Sequence, residues 1–77
     1  MSIEFRIEAS TTNPETRQGF ERDNLQDYDI TTASDEVRRQ TIRYLRRGYW
    51  VEIYINGTDE LFAGPYDPDL PEPAFIL

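Results

Sequence analysis

The chain contains no cysteine, no histidine and no lysine. Without cysteine, neither a disulfide nor a thiolate zinc site can support the fold. Without histidine it lacks the usual general base near neutral pH and the commonest metal ligand. Without lysine there is no Schiff-base chemistry and no phosphate-cradling P-loop lysine, and all eight cations are arginines. No apolar run approaches the roughly 20 residues that span a bilayer. The opening MSIEFRIEAS shows neither the basic region nor the long apolar region of an export signal. These absences lead us to expect a soluble, cytoplasmic, non-enzymatic protein with no cofactor, no metal and no membrane partner.

What remains is short and acidic. The 77 residues allow one domain, spanning 1–77. A domain of this size buries only roughly 60–65% of its extended surface and is marginally stable on size alone. Aromatic residues, at 13%, keep the composition outside the disordered class. The net charge of -7 is uneven along the chain. Residues 1–30 sum to -4, residues 31–48 to +3 and residues 49–77 to -6. The acidic ends repel nucleic acid and attract a basic protein surface.

The run Ile3 to Ala9 alternates strictly, with Ile3, Phe5, Ile7 and Ala9 on one face, and reads as a half-buried strand. Turn formers follow to Asn13-Pro14. A strand near 16–22 is the favoured reading of the next stretch; the alternative is a short helix capped by Asn13 and begun by Pro14. Asp23 to Ile30 reads as an acidic loop anchored by Leu25, Tyr28 and Ile30. A helix is expected over 33–47. Thr32 and Asp35 resemble a capping box, Val37, Thr41, Tyr44 and Leu45 make the buried stripe with Ile42 on its flank, and Gly48 stops it. Tyr49 to Ile55 reads as a central strand with large side chains on both faces. Asn56-Gly57 signals a two-residue hairpin turn, with a return strand over 60–63 closed by Gly64-Pro65. Residues 64–77, with four of the five prolines, read as a C-terminal strap whose apolar end, Phe75-Ile76-Leu77, should be buried. The expected fold class is α+β: a small antiparallel sheet of three to four strands with one helix packed across it.

Two charged features compete for a functional role. Arg38, Arg39, Arg43, Arg46 and Arg47 lie on the predicted helix, four of them on one face away from Val37 and Tyr44. Guanidinium groups there suit phosphate or RNA. The net charge and the lack of an aromatic RNA-binding signature argue instead for a solvated helix back, partly neutralised by the acidic loop and tail. The acidic set includes Asp23, Asp27, Asp29, Glu52, Asp59, Glu60, Asp67, Asp69 and Glu72. Its spacing supports neither a catalytic pair nor a calcium loop. Spaced carboxylates on a small rigid fold can instead occupy another protein's arginine and lysine groove. The expected partner-binding residues are therefore Asp27, Asp29, Glu52, Tyr54, Asp59, Glu60, Tyr66, Asp67, Asp69 and Glu72. Tyr54 and Tyr66 serve as aromatic anchors, whereas Trp50 reads as sheet-face packing.

The strand Ile3–Ala9, the helix Thr32–Gly48 and the hairpin at Asn56-Gly57 together resemble the plan of the small phage-encoded anti-CRISPR proteins. The resemblance lies in architecture and composition and in no specific motif. It implies a non-catalytic inhibitor that blocks a nucleic-acid-binding CRISPR effector complex, in the host cell cytoplasm, by covering a basic surface on one of its subunits as a DNA mimic does. The arginine helix departs from a uniformly acidic mimic. The rival reading is a small phage or mobile-element assembly module, a homodimer or larger oligomer built through its sheet edge and C-terminal segment.

Overall fold

A computed structural model describes residues 3–16 and 25–73. The chain order is β1 (Phe5–Ser10), a 3-10 turn (Pro14–Thr16), β2 (Leu25–Thr31), α1 (Ser34–Arg46), β3 (Trp50–Ile55) and β4 (Leu61–Tyr66). The four strands form one antiparallel sheet in the order β2-β1-β3-β4. Both β2 and β3 run antiparallel to β1, so they are parallel to each other, and α1 carries the chain over β1 between them. This is a split β-α-β unit with a hairpin strand added, a small α+β fold.

Alternation builds the core. Ile7 and Ala9 of β1 and Val51 and Ile53 of β3 are fully buried beneath Val37, Tyr44 and Leu45 of α1. Thr41 lies in the same stripe and donates its hydroxyl to the Val37 carbonyl at 2.8 Å, so no polar group is left unbonded there. Gly48, at φ +88°, ends α1. The Gly48 amide donates to the Leu45 carbonyl and the Tyr49 amide to the Tyr44 carbonyl, and the Tyr44 and Tyr49 rings meet edge to face at 6.5 Å. Those are the two hydrogen bonds and the apolar contact of a Schellman stop.

Several expectations change. Thr32 does not cap α1. Ala33 occupies that position without a side-chain bond, and the Thr31 hydroxyl accepts the Ala33 amide. The stretch 25–31 is a strand, not an anchored loop, because pairing with β1 satisfies its backbone. Tyr28 and Ile30 lie outside, at 57% and 41% exposure. The face of β1 opposite the helix is not solvated at its C-terminal end, since Glu8 and Ser10 are buried between flanking strands. The Asn56-Gly57 hairpin forms, but its loop spans 56–60 and only Gly57 takes a positive φ, +85°. It is not a two-residue type I′ turn: the Thr58 amide donates to the Ile55 carbonyl at 3.1 Å, but the Ile55 amide donates to the Glu60 carbonyl at 3.2 Å, and Asn56 does not take the positive φ that type I′ needs. Gly64 and Pro65 lie inside β4, which continues to Tyr66. The alternative reading of the chain after Asn13 holds at 14–16, where the Asn13 side chain accepts the Glu15 amide at 3.0 Å. The remainder of the favoured strand at 16–22, Asp23 and the Phe75-Ile76-Leu77 end lie outside the described residues.

Candidate functional site

The structure separates the expected partner-binding residues into three groups. The first is tied up on the helix side of the molecule. Asp27 and Asp29 stand opposite Ala9 and Ile7 and therefore share the helix-facing side of the sheet. With Tyr28, Gln40, Arg43, Tyr44 and Arg47 they line a polar hollow of about 250 Å³. The buried Tyr44 phenol lies beside Asp27 and Asp29 and feels their charges. Glu72 binds Arg46 through contacts of 2.6 and 3.4 Å, which fastens the strap to α1. The second group is interior. Glu52 is buried opposite Glu8 and accepts the Tyr54 hydroxyl at 2.9 Å, and Tyr54 is half-buried beneath the Arg6 guanidinium. Glu52 is thus not an exposed carboxylate, because β3 is central and both its faces are covered.

The third group frames β4. Asp59 and Glu60 precede the strand, Tyr66 ends it, and Asp67 and Asp69 follow. Asp67 organises its own turn. Its carboxylate accepts the Asp69 amide at 2.8 Å and its carbonyl accepts the Leu70 amide at 3.2 Å. No described cation pairs with Asp59, Glu60, Asp67 or Asp69. Between them Leu61 and Phe62 are 42% and 46% exposed. A six-residue strand holds the two acid pairs roughly 20 Å apart.

At the Tyr66 end lies a cleft of about 460 Å³ that sequence reasoning missed. Trp50, Tyr66 and Leu70 line it, together with Pro65, Pro71 and Pro73, and Glu15 and Asp67 supply carboxylates. Aromatic faces with nearby carboxylates suit the stem and head of an arginine or lysine side chain. The signal was present in the prolines after Tyr66, but Glu15 joins only through the 3-10 turn, which spacing does not reveal.

The arginine helix is partly self-neutralised. Arg39 pairs with Glu36 and with Asp35, Arg46 with Glu72, and Arg47 stacks over Tyr49 at 5.6 Å. Hydrogen bonds from Arg39 and then Gln40 hold the Glu36 carboxyl below its usual range. The expectation of a helix back offset by the acidic loop and tail therefore holds for Arg46, which Glu72 of the strap binds, whereas Arg39 is offset by Asp35 and Glu36 of the helix's own first turn.

Burial, then the charge and hydrogen bond of Asp27, push the Tyr44 phenol from 10.0 up to about 12. Burial also raises Tyr66. A phenol that ionises later in the folded state than in the unfolded state stabilises the fold below its unfolded value. That contribution is lost as pH rises through the folded value. We expect unfolding free energy to fall by on the order of 2 kcal/mol between about pH 10 and 12 through Tyr44. Denaturant titrations of wild type and Tyr44→Phe across that range check it, because the phenylalanine variant should lose this step while keeping the smaller one from Tyr66.

Among the described residues no group of three or more carboxylates could hold a metal ion, and no helix is long and apolar enough to cross a membrane. Comparison with protein-family models, with curated proteins and with solved structures finds no match to this chain.

Proposed function

We propose that this protein is a non-catalytic inhibitor that covers a basic, nucleic-acid-binding surface on another protein. The observation that carries this reading is the β4 edge. Asp59, Glu60, Asp67 and Asp69 lack a described cation partner there and bracket exposed Leu61 and Phe62. Apolar contact supplies affinity, and carboxylates at both ends supply register and electrostatic steering. The cleft of Trp50 and Tyr66 seats one arginine or lysine of the partner. On the architectural resemblance, a subunit of a CRISPR effector complex in the host cytoplasm is the first partner to test.

The test uses purified effector complexes and labelled target DNA. Wild type should reduce DNA binding. A variant carrying Asp59→Asn, Glu60→Gln, Asp67→Asn and Asp69→Asn should associate about tenfold more slowly at low salt, with the difference shrinking as salt is raised. Unchanged association across that series removes the electrostatic basis of the proposal.

A second reading rests on the opposite surface. Arg38 and Arg43 make no described ion pair, and with Arg39, Ile42, Arg46 and Arg47 they line a hollow of about 680 Å³ on α1. That face suits a phosphate backbone. A mobility-shift titration with RNA and DNA over a salt series decides it. Binding that weakens steeply with salt and is lost in Arg38→Ala/Arg43→Ala favours this reading over the first.

A further inference from the structure

The two edges of the sheet are protected in different ways. At β4 the ladder breaks register on both sides of Ile53, and Pro65 has no amide to donate. At β2 there is no proline, and the pairing with β1 is regular from Thr31 to Asp27. The amides of Tyr28 and Ile30 do not point to β1. The Tyr28 amide donates to its neighbour Asp27 Oδ1 at 2.8 Å, and the Ile30 amide to Asp29 Oδ1 at 3.0 Å. In an antiparallel pair the N–H groups of alternate residues point outward, and those are the donors a new strand would take. Each of these two outward donors is already held by the aspartate before it.

We infer that the β2 edge is a strand-pairing surface held shut by Asp27 and Asp29, and that a second copy of this chain occupies it once those acceptors are removed. The second copy follows from the edges themselves. In a solution of this protein, β4 is broken by its bulges and proline, so among the described residues the matching edge is β2 of another molecule. Antiparallel pairing of β2 with β2 about a two-fold axis is self-complementary. It would join exposed Tyr28 and Ile30 to their copies on the face away from the helices and extend the sheet to eight strands.

Two double variants test this, compared with wild type by sedimentation equilibrium and amide exchange. Asn keeps the side-chain oxygen acceptor and Ala removes it. Asp27→Asn/Asp29→Asn should sediment as wild type does. Asp27→Ala/Asp29→Ala should show concentration-dependent dimerisation, with Tyr28 and Ile30 amides exchanging about tenfold more slowly in the dimer. If the alanine pair folds poorly, Asp27→Val/Asp29→Val removes the same acceptors while favouring the strand. An acceptor-free variant that folds and sediments as wild type overturns the inference. So does an asparagine variant that associates as strongly as the alanine one, since charge alone would then be the guard. Wild type already paired through β2 overturns it too. None of these results depends on the β4 surface or on its partner.

Discussion

An Arg6→Met variant is expected to lose about 3 kcal/mol of stability, a large share of what a domain this small has. Arg6 is the hub of the sheet face opposite the helix. Its Nε meets Glu8 at 2.7 Å, with side-chain exposures of 17% and 3%. Its remaining nitrogens reach the Asn56 side chain at 3.4 Å and the Thr58 carbonyl at 3.2 Å, and its plane lies over Tyr54 at 4.9 Å. Glu8 stands directly opposite Glu52, so two buried carboxylates face each other across β1 and β3. Like charges so placed are unfavourable, and taking a cation away from a buried acid costs far more than a surface pair ever returns. Methionine keeps the apolar stem, which isolates the loss of charge from the loss of packing. The melting temperature should drop by roughly 12–24 °C, at 4–8 °C per kcal/mol for a domain of this size. Adding Glu8→Gln to the methionine variant should recover at least about 1 kcal/mol, because a buried amide costs less than a buried carboxylate. Thermal and urea melts of the two single variants and the double give the cycle. Strict additivity, or a loss below about 1 kcal/mol for Arg6→Met, would mean that the guanidinium is not what makes these acids tolerable.

Where one residue type had one local reason, the sequence was legible. The helix stripe Val37, Thr41, Tyr44 and Leu45 and its Gly48 stop depend on spacing of a few residues, and both appear where spacing puts them. The central position of β3 was readable from large side chains on both faces. Long-range partners decided the rest. Leu25 to Thr31 is rich in Asp and Gln and lacks a clean apolar alternation, so local propensity points to a loop. The strand exists because β1 offers a ladder and because Asp27 and Asp29 satisfy its outward amides. Asn56-Gly57 is a strong local signal, yet the Ile55 amide closes the hairpin on the Glu60 carbonyl, which makes the loop longer than two residues. The same logic divides the acids. Asp59 and Asp67 look no different in sequence from Asp27 and Glu72. Only the fold shows that the latter two lie beside Tyr44 and Arg46, while Asp59 is exposed before β4 and Asp67 folds into its own turn after it.

Gly64→Ala is the second change with a large expected effect, about 3 kcal/mol of lost stability. Gly64 has φ +100°, a region L side chains rarely adopt. Forcing a residue with a Cβ into positive φ costs roughly 1–2 kcal/mol. Space adds to this. A Cβ there would sit 2.7 Å from the Val51 carbonyl oxygen and 3.3 Å from the Glu52 Cα, both backbone atoms of the neighbouring strand. A flexible side chain could turn aside, but a paired strand cannot, so relief requires β3 and β4 to separate locally, at roughly another 1–3 kcal/mol. The displaced stretch holds Pro65 and Tyr66, which form one wall of the cleft and connect the sheet to Asp67. The substitution should therefore loosen the proposed binding edge as well as destabilise the fold. Amide exchange should show faster opening at Val51 to Ile53 than along the β1–β2 ladder. Gly57→Ala is the control. It also has positive φ, +85°, but nothing lies within 4 Å of its added Cβ, so it should cost only the conformational part, about 1 kcal/mol. Equal losses for the two alanine variants would show that the close approach of β4 to Val51 carries no weight.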